Sequence, residues 1–216
     1  MMKTFAIVPV KRFENAKTRL SSMLDTEDRI RLSSLMLEDT LQILSVAPPL
    51  TQVIIVSADK RADEIATKHG AKFLPEEKEN GVNSAVALAD GYCIEKEAAD
   101  ATIVIPHDLP LLDSIVISKA CELAEKESTC IVICPSVRYD GTNMLLRKPP
   151  SVIATFYDTD SYNMHVKAAL KLGIPVKHLF SKSVMYDIDT PEDALRLTKE
   201  EVVSVRSLEF IKSKLF

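Results

Sequence analysis

Glycine is scarce in this chain: five among 216 residues, and none before Gly70. The Gly-x4-Gly-Lys-Ser/Thr spacing of a P-loop is therefore missing from the N-terminal part, where a nucleotide-binding strand and loop would otherwise carry it. Cysteine is also rare. Cys93, Cys121, Cys130 and Cys134 form no C-x-x-C pair. Cys130 and Cys134 sit in CIVIC, where an even spacing puts them on one face of a strand, so buried reduced thiols are expected rather than disulfides or metal ligands. No apolar run approaches ~18 residues, so no transmembrane helix is expected. The start, Met-Met-Lys-Thr, lacks the apolar core and cleavage site of a signal peptide, which points to a cytoplasmic protein. An excess of positive charge is absent too: the net charge is −4 and the pI about 5.7. That argues against non-specific nucleic-acid binding and gives no overall pull to an anionic membrane. No repeat, low-complexity tract or flexible linker breaks the sequence, and one domain over residues 1–216 is the simplest organisation.

Hydrophobic residues are plentiful, at 46%, enough for a substantial core. The chain is organised around residues 7–20, IVPVKRFENAKTRL. An apolar run ends here in a polar loop with four cations, Lys11, Arg12, Lys17 and Arg19. A buried strand that opens into such a loop presents charge at the carboxyl edge of an α/β sheet. Cations this close repel one another, so the cluster suits a polyanion such as a nucleoside triphosphate; a solvated basic turn is the alternative.

Strand-like and helix-like segments alternate over the first 135 residues. Apolar runs at 53–56, 71–74, 102–106 and 130–135 read as strands. Helices are expected at 26–46, 62–69, 84–97 and 114–127. The alternation predicts a mainly parallel sheet covered on both faces. Beyond it, 144–147, 176–180 and 184–188 read as strands, suggesting antiparallel additions. Helices are expected at 161–172 and 208–215. Thr190-Pro191-Glu192-Asp193 opens another, which is extended past Lys199.

Ligands of open α/β sheets bind beyond the carboxyl ends of the strands. Lys11, Asp59, Asp108, Asp187 and Asp189 fall at such ends. Asp187 and Asp189 bracket Ile188 and are expected on opposite faces of a strand, so that only one reaches the site of Asp108. Two or three carboxylates are hard oxygen ligands that suit Mg²⁺ together with substrate phosphates. Cations at one strand end and carboxylates at two others thus suggest a phosphate and metal site. Loop capping or an ion pair is the plainer role for any one carboxylate. His107 and His165 are read as packing residues.

Six segments carry a family resemblance in order along almost the whole chain: VPVKRFENAKTRL, NGVNSAV, Asp-Leu-Pro at 108–110, RYDGTN, SYNMH at 161–165 and DIDTPEDAL. The chain resembles the 2-phospho-L-lactate guanylyltransferases of deazaflavin-coenzyme biosynthesis. The resemblance implies an α/β, Rossmann-like three-layer nucleotidyltransferase fold of the nucleotide-diphospho-sugar transferase (GT-A-like) type. It also implies a homodimer; residues 144–153, with Leu145, Leu146 and Val152, are available to pair or pack across a two-fold axis. The implied reaction joins GTP and 2-phospho-L-lactate, or phosphoenolpyruvate, and releases pyrophosphate with Mg²⁺ as cofactor. Lys11, Lys17 and Arg19 would meet the triphosphate; Asp108 with Asp187 or Asp189 would hold the metal. Asn80, Gly81 and Asn83 would approach the nucleotide, and Thr142 and Ser161 the acceptor. Asp158 stands where the family tends to have glycine, so it points away from the acceptor, joins the metal shell or alters acceptor binding. The absence of a nucleophile motif does not oppose an enzyme, because a phosphate acceptor is already anionic. Two other classes compete: a nucleotidyltransferase for a sugar phosphate or molybdopterin, and a nucleotide-binding regulatory protein.

Overall fold

The opening apolar run becomes β1 (Thr4–Val10), buried at almost every position. A computed structural model describes residues 2–199 and 205–215. Six more strands follow: β2 (Leu50–Ser57), β3 (Lys72–Pro75), β4 (Ala101–Val104), β5 (Cys130–Pro135), β6 (Thr142–Lys148) and β7 (Val176–His178). They form one sheet in the order β3-β2-β1-β4-β6-β5-β7. Only β6 runs against its neighbours, pairing antiparallel with both β4 and β5. The expected antiparallel addition is therefore a single strand inserted into an otherwise parallel sheet.

Alternation along the strands divides the core between two faces. Ala6, Val8, Ile55, Ile103, Val132 and Leu146 face one side, under α1 (Thr26–Leu44), α2 (Lys60–Lys68) and α4 (Ser114–Glu125). Phe5, Ile7, Ile54 and Val104 face the other, under α3 (Val82–Glu97). Ile131, Ile133 and Leu145 continue that side beneath α5 (Ser161–Lys171). The outer flank of α1 packs on α7 (Pro191–Leu197) and α8 (Arg206–Leu215) through Leu32, Met36, Leu197 and Ile211. All four cysteines are free and buried, and Cys130 and Cys134 share one face as expected.

Local signals place the helix starts. Asp25 caps α1 by accepting from the Asp28 N–H at 2.8 Å. At α7, Thr190 and Asp193 form a reciprocal capping box with Pro191 in the first turn. That helix closes at Leu197, short of the expected extension; positions 200–204 lie outside the described residues. Residues 182–185 form a single helical turn, α6, where a strand was expected over 184–188. The Val184 and Met185 carbonyls accept from the Asn143 side chain at 2.9 and 3.3 Å, and the Met185 carbonyl also from the Val137 N–H. Those bonds replace a sheet ladder.

Edge-to-edge pairing of β6 with a second copy does not fit this topology. β6 is bonded on both edges, and Leu145 and Leu146 are wholly buried within the chain. A strand without a free edge cannot extend a sheet into a second copy.

Asp59, at the end of β2, holds the basic loop rather than a ligand. Its carboxylate accepts from the N–H of Arg61, capping α2, and from the N–H of Phe13, both at 3.0 Å. Burial pushes its pKa up, but the Arg61 side chain and those two N–H groups outweigh it and bring it down to about 2. A depressed carboxylate stabilises the fold above its unfolded pKa of 3.8 and loses that contribution as pH falls through about 2. Thermal melts should show the wild type more stable than Asp59→Asn near neutrality, with the gap closing between pH ~5 and ~2.

Candidate active site

The chain runs from β1 through β2 and β3 on one side, then returns to β4 on the other side of β1. That reversal makes the carboxyl ends of β1 and β4 a switch point, where an open α/β sheet forms a crevice. A cavity of about 510 Å³ lies there. Its wall carries four cations, Lys11, Lys17, Arg19 and Arg138, and four carboxylates, Asp108, Asp140, Asp187 and Asp189. Thr142, Asn143, Ser136, Ser161 and Tyr157 add polar groups to it, as do Asn15, Thr18 and His107.

The basic loop folds into two 3₁₀ turns, Phe13–Asn15 and Thr18–Leu20, anchored by the buried side chains of Phe13 and Leu20. Between them Lys17 takes a left-handed backbone, φ 53°. Such a conformation costs a residue with a side chain about 1–2 kcal/mol. Here it turns the ammonium inward. Lys17 Nζ donates to Asp108 at 2.6 Å and to Asp189 at 2.9 Å, with only 6% of its side chain exposed. Burial alone would favour the neutral amine, but the two carboxylates outweigh it and raise the pKa, so the cation is permanent. Arg19 is more exposed and stands 3.7 Å from Asp189.

Asp108 enters from the loop after β4. The Thr40 hydroxyl of α1 steadies that loop by donating to the His107 carbonyl at 3.1 Å. Asp187 and Asp189 both line the same cavity, which corrects the expectation of opposite faces. Residues two apart in an extended segment share a face; Ile188 is the one that turns away, into the core between α1 and α7. Its N–H donates to the Asp108 carbonyl at 3.1 Å, tying the two carboxylate-bearing loops together.

The three carboxylates are unequally balanced. Lys17 holds Asp189 below its ordinary pKa. Burial, and then the charges of Asp108 and Asp189, push Asp187 up to about 6. Asp108 Oδ1 is buried without a hydrogen-bond partner. An orphaned carboxylate oxygen beside a carboxyl that resists ionisation is a surplus of negative charge, and the donors are all hard oxygens, as Mg²⁺ requires. Among the described residues no three His, Cys, Asp or Glu side chains are already gathered around one point; Lys17 lies between Asp108 and Asp189 instead.

Other expected residues stand at the rim. Asn80, Gly81 and Asn83 are not in the cavity wall, although Val82 between them is. Gly81, at φ 87°, makes the turn into α3. Asn83 accepts from the Tyr157 N–H at 2.9 Å and donates to Asp158 at 3.0 Å. Asp158 is therefore engaged with α3 and outside the cavity wall. Thr142 and Ser161 do meet: Ser161 Oγ donates to Thr142 Oγ1 at 3.1 Å.

Several lining residues were not singled out in advance, Arg138, Asn143 and Tyr157 among them. Arg138 faces Asp187 at 3.8 Å, Asp193 at 3.6 Å and Asp140 at 3.7 Å. Asn143 positions the 184–187 segment, and Tyr157 is a half-buried wall residue. Arg138 and Asn143 begin and end RYDGTN, which was the available signal.

This fold and site define a nucleotidyltransferase-like α/β protein. The family model for CofC-like guanylyl transferases matches residues 4–213. The chain belongs to that family: it is a guanylyltransferase of the CofC family. It is 36% identical over 205 residues to a phosphoenolpyruvate guanylyltransferase of Rubrobacter xylanophilus, covering 95% of this chain and 98% of the relative. It is 35% identical over 192 residues to a 2-phospho-L-lactate guanylyltransferase of Methanothermobacter thermautotrophicus, covering 89% and 82%. Among solved structures, a Desulfovibrio desulfuricans G20 protein assigned to the nucleotide-diphospho-sugar transferases shares the fold, with TM-score 0.78 and 16% identity over 99% of this chain and 95% of that one. Among the described residues no helix is long and apolar enough to cross a membrane.

Proposed function

We propose that this chain moves the guanylyl group of GTP onto the phosphate of a three-carbon phosphorylated acid, 2-phospho-L-lactate or phosphoenolpyruvate. The carrying observation is the permanent buried cation Lys17 set among Asp108, Asp187 and Asp189 at the sheet's switch point. An oxygen of the acceptor phosphate attacks the α-phosphorus. The bond from that phosphorus to the β-bridging oxygen breaks, and its electron pair leaves with pyrophosphate. No proton has to move, which suits a site with no Ser-His pair among the described residues; alignment and charge neutralisation do the work. Lys11, Lys17 and Arg19 meet the triphosphate and offset the leaving charge. Arg138 adds a fourth cation to the wall. Asp108, Asp187 and Asp189 would hold Mg²⁺, which when bound neutralises phosphate charge. Asn80, Gly81 and Asn83 form the turn toward the nucleoside, while Thr142 and Ser161, at the N-terminus of α5, meet the acceptor.

Both acceptors have a specific support. The Rubrobacter relative, matched over nearly its full length, is named for phosphoenolpyruvate; the Methanothermobacter relative is named for 2-phospho-L-lactate. The protein should be mixed with Mg²⁺, each nucleoside triphosphate in turn, and each acceptor, and pyrophosphate measured. Release with GTP and one of these two acids is the expected result. Nucleotide binding without release for any acceptor would favour a regulatory protein, and release only with a sugar phosphate a different nucleotidyltransferase.

A further inference from the structure

Behind the Thr142–Ser161 pair lies a histidine that the reaction does not call for. His165 is fully buried on α5. Its Nε2 is 2.9 Å from the backbone N–H of Phe156, and its Nδ1 is 3.0 Å from Thr142 Oγ1. A backbone N–H can only donate, so Nε2 must offer its lone pair. A neutral imidazole has one ring proton, which therefore sits on Nδ1 and is donated to Thr142. Burial keeps the ring neutral: it pushes the pKa down to about 4, with the Arg147 charge acting in the same direction and the Ser161 carbonyl opposing.

Thr142 Oγ1 thus accepts twice, from His165 Nδ1–H and from the Ser161 hydroxyl at 3.1 Å. A hydroxyl oxygen has two lone pairs and one proton. With both lone pairs occupied, the proton is left to donate, and Thr142 lines the cavity. The same imidazole pins the 156–157 backbone, whose other tie is the Tyr157 N–H to Asn83.

We propose that His165 is a positioning residue whose Nδ1–H tautomer turns the Thr142 hydroxyl into a fixed donor toward the anionic oxygens of the acceptor. The inference rests on the guanylyl-transfer reading for the identity of that acceptor, but the hydrogen-bond direction does not. Reversed, with Thr142 donating to Nδ1, the hydroxyl would present a lone pair to an anion and repel it. An amide at 165 can imitate only one ring nitrogen at a time. Asparagine places its amide near Nδ1 and keeps the donor to Thr142; glutamine reaches the Nε2 position and keeps the acceptor for Phe156.

The ring proton is observed directly in a proton–nitrogen correlation spectrum of the wild-type chain without substrate. A proton on Nδ1 is expected, and a proton on Nε2 would overturn the proposal. In steady-state kinetics, His165→Gln should raise the acceptor KM about tenfold, the worth of one hydrogen bond to a charged group, with the GTP KM unchanged. His165→Asn should keep the acceptor KM within about threefold of wild type. An unchanged acceptor KM in the glutamine variant, or equal rises in both KM values, would contradict a positioning role toward the acceptor. Should either variant fail to fold, the wild-type spectrum still decides. A wild-type chain inert toward every acceptor would defeat the guanylyl-transfer reading and leave the tautomer test intact.

Discussion

Replacing Asp108 by asparagine is expected to lower turnover about a thousandfold while the protein stays folded. Asp108 is the one site carboxylate with both an ion pair to Lys17 and a buried oxygen that no protein group satisfies. The amide removes the charge that a cation would need but keeps an oxygen for Lys17, which also retains Asp189 at 2.9 Å. Circular dichroism and the melting temperature should therefore stay near wild type. Pyrophosphate release at wild-type rates would remove Asp108 from the reaction.

The second large effect belongs to Lys17. Lys17→Ala should lower kcat/KM for GTP by about a hundredfold or more, because the proposed reaction uses this buried ammonium to offset phosphate charge and solvent cannot replace it. It also leaves Asp108 and Asp189 facing one another without their shared cation. Taking one partner out of a buried pair costs about 3–5 kcal/mol; here the carboxylates border an open cavity, so the cost to stability should fall well below that range. Lys17→Arg should recover only part of the activity. A planar guanidinium cannot sit between two carboxylates as a compact point charge does. Equal GTP affinity and rate in the alanine variant would take Lys17 out of the site.

Much of this arrangement was legible in the sequence because the signals were local. The Asp25 cap, the Thr190 to Asp193 capping box and the CIVIC strand each depend on neighbours a few residues away. So does the basic loop after β1, whose place at a strand end fixes its place at the sheet's edge. The failures came where a distant residue decides. Residues 184–188 look strand-like, yet Asn143 captures the carbonyls that a ladder would need. β6 reads as a free apolar strand, yet the topology inserts it between β4 and β5. Arg138 acts through Asp187 and Asp193, some fifty residues on. Asp187 and Asp189 were misplaced for another reason: two-residue periodicity puts them on one face, and that alone would have predicted their convergence.

The buried ion pair of Arg147 with Asp90, 2.7 Å, was likewise invisible in the sequence. It joins β6 to α3, and Arg147 reaches on to the Ile153 carbonyl at 3.5 Å. The segment that carries Tyr157 and Asp158 is thus tethered at Ile153 by the core and at Tyr157 by Asn83. Rigid support of this kind is what alignment-based catalysis needs.

The central claim is that the acceptor phosphate attacks the α-phosphorus of GTP. Carrying heavy oxygen on the phosphate of the acceptor tests it most directly, with the products separated and weighed by mass spectrometry. All of the label should appear in the guanosine diphosphodiester and none in pyrophosphate. Label in pyrophosphate, or release of orthophosphate in its place, would contradict the account.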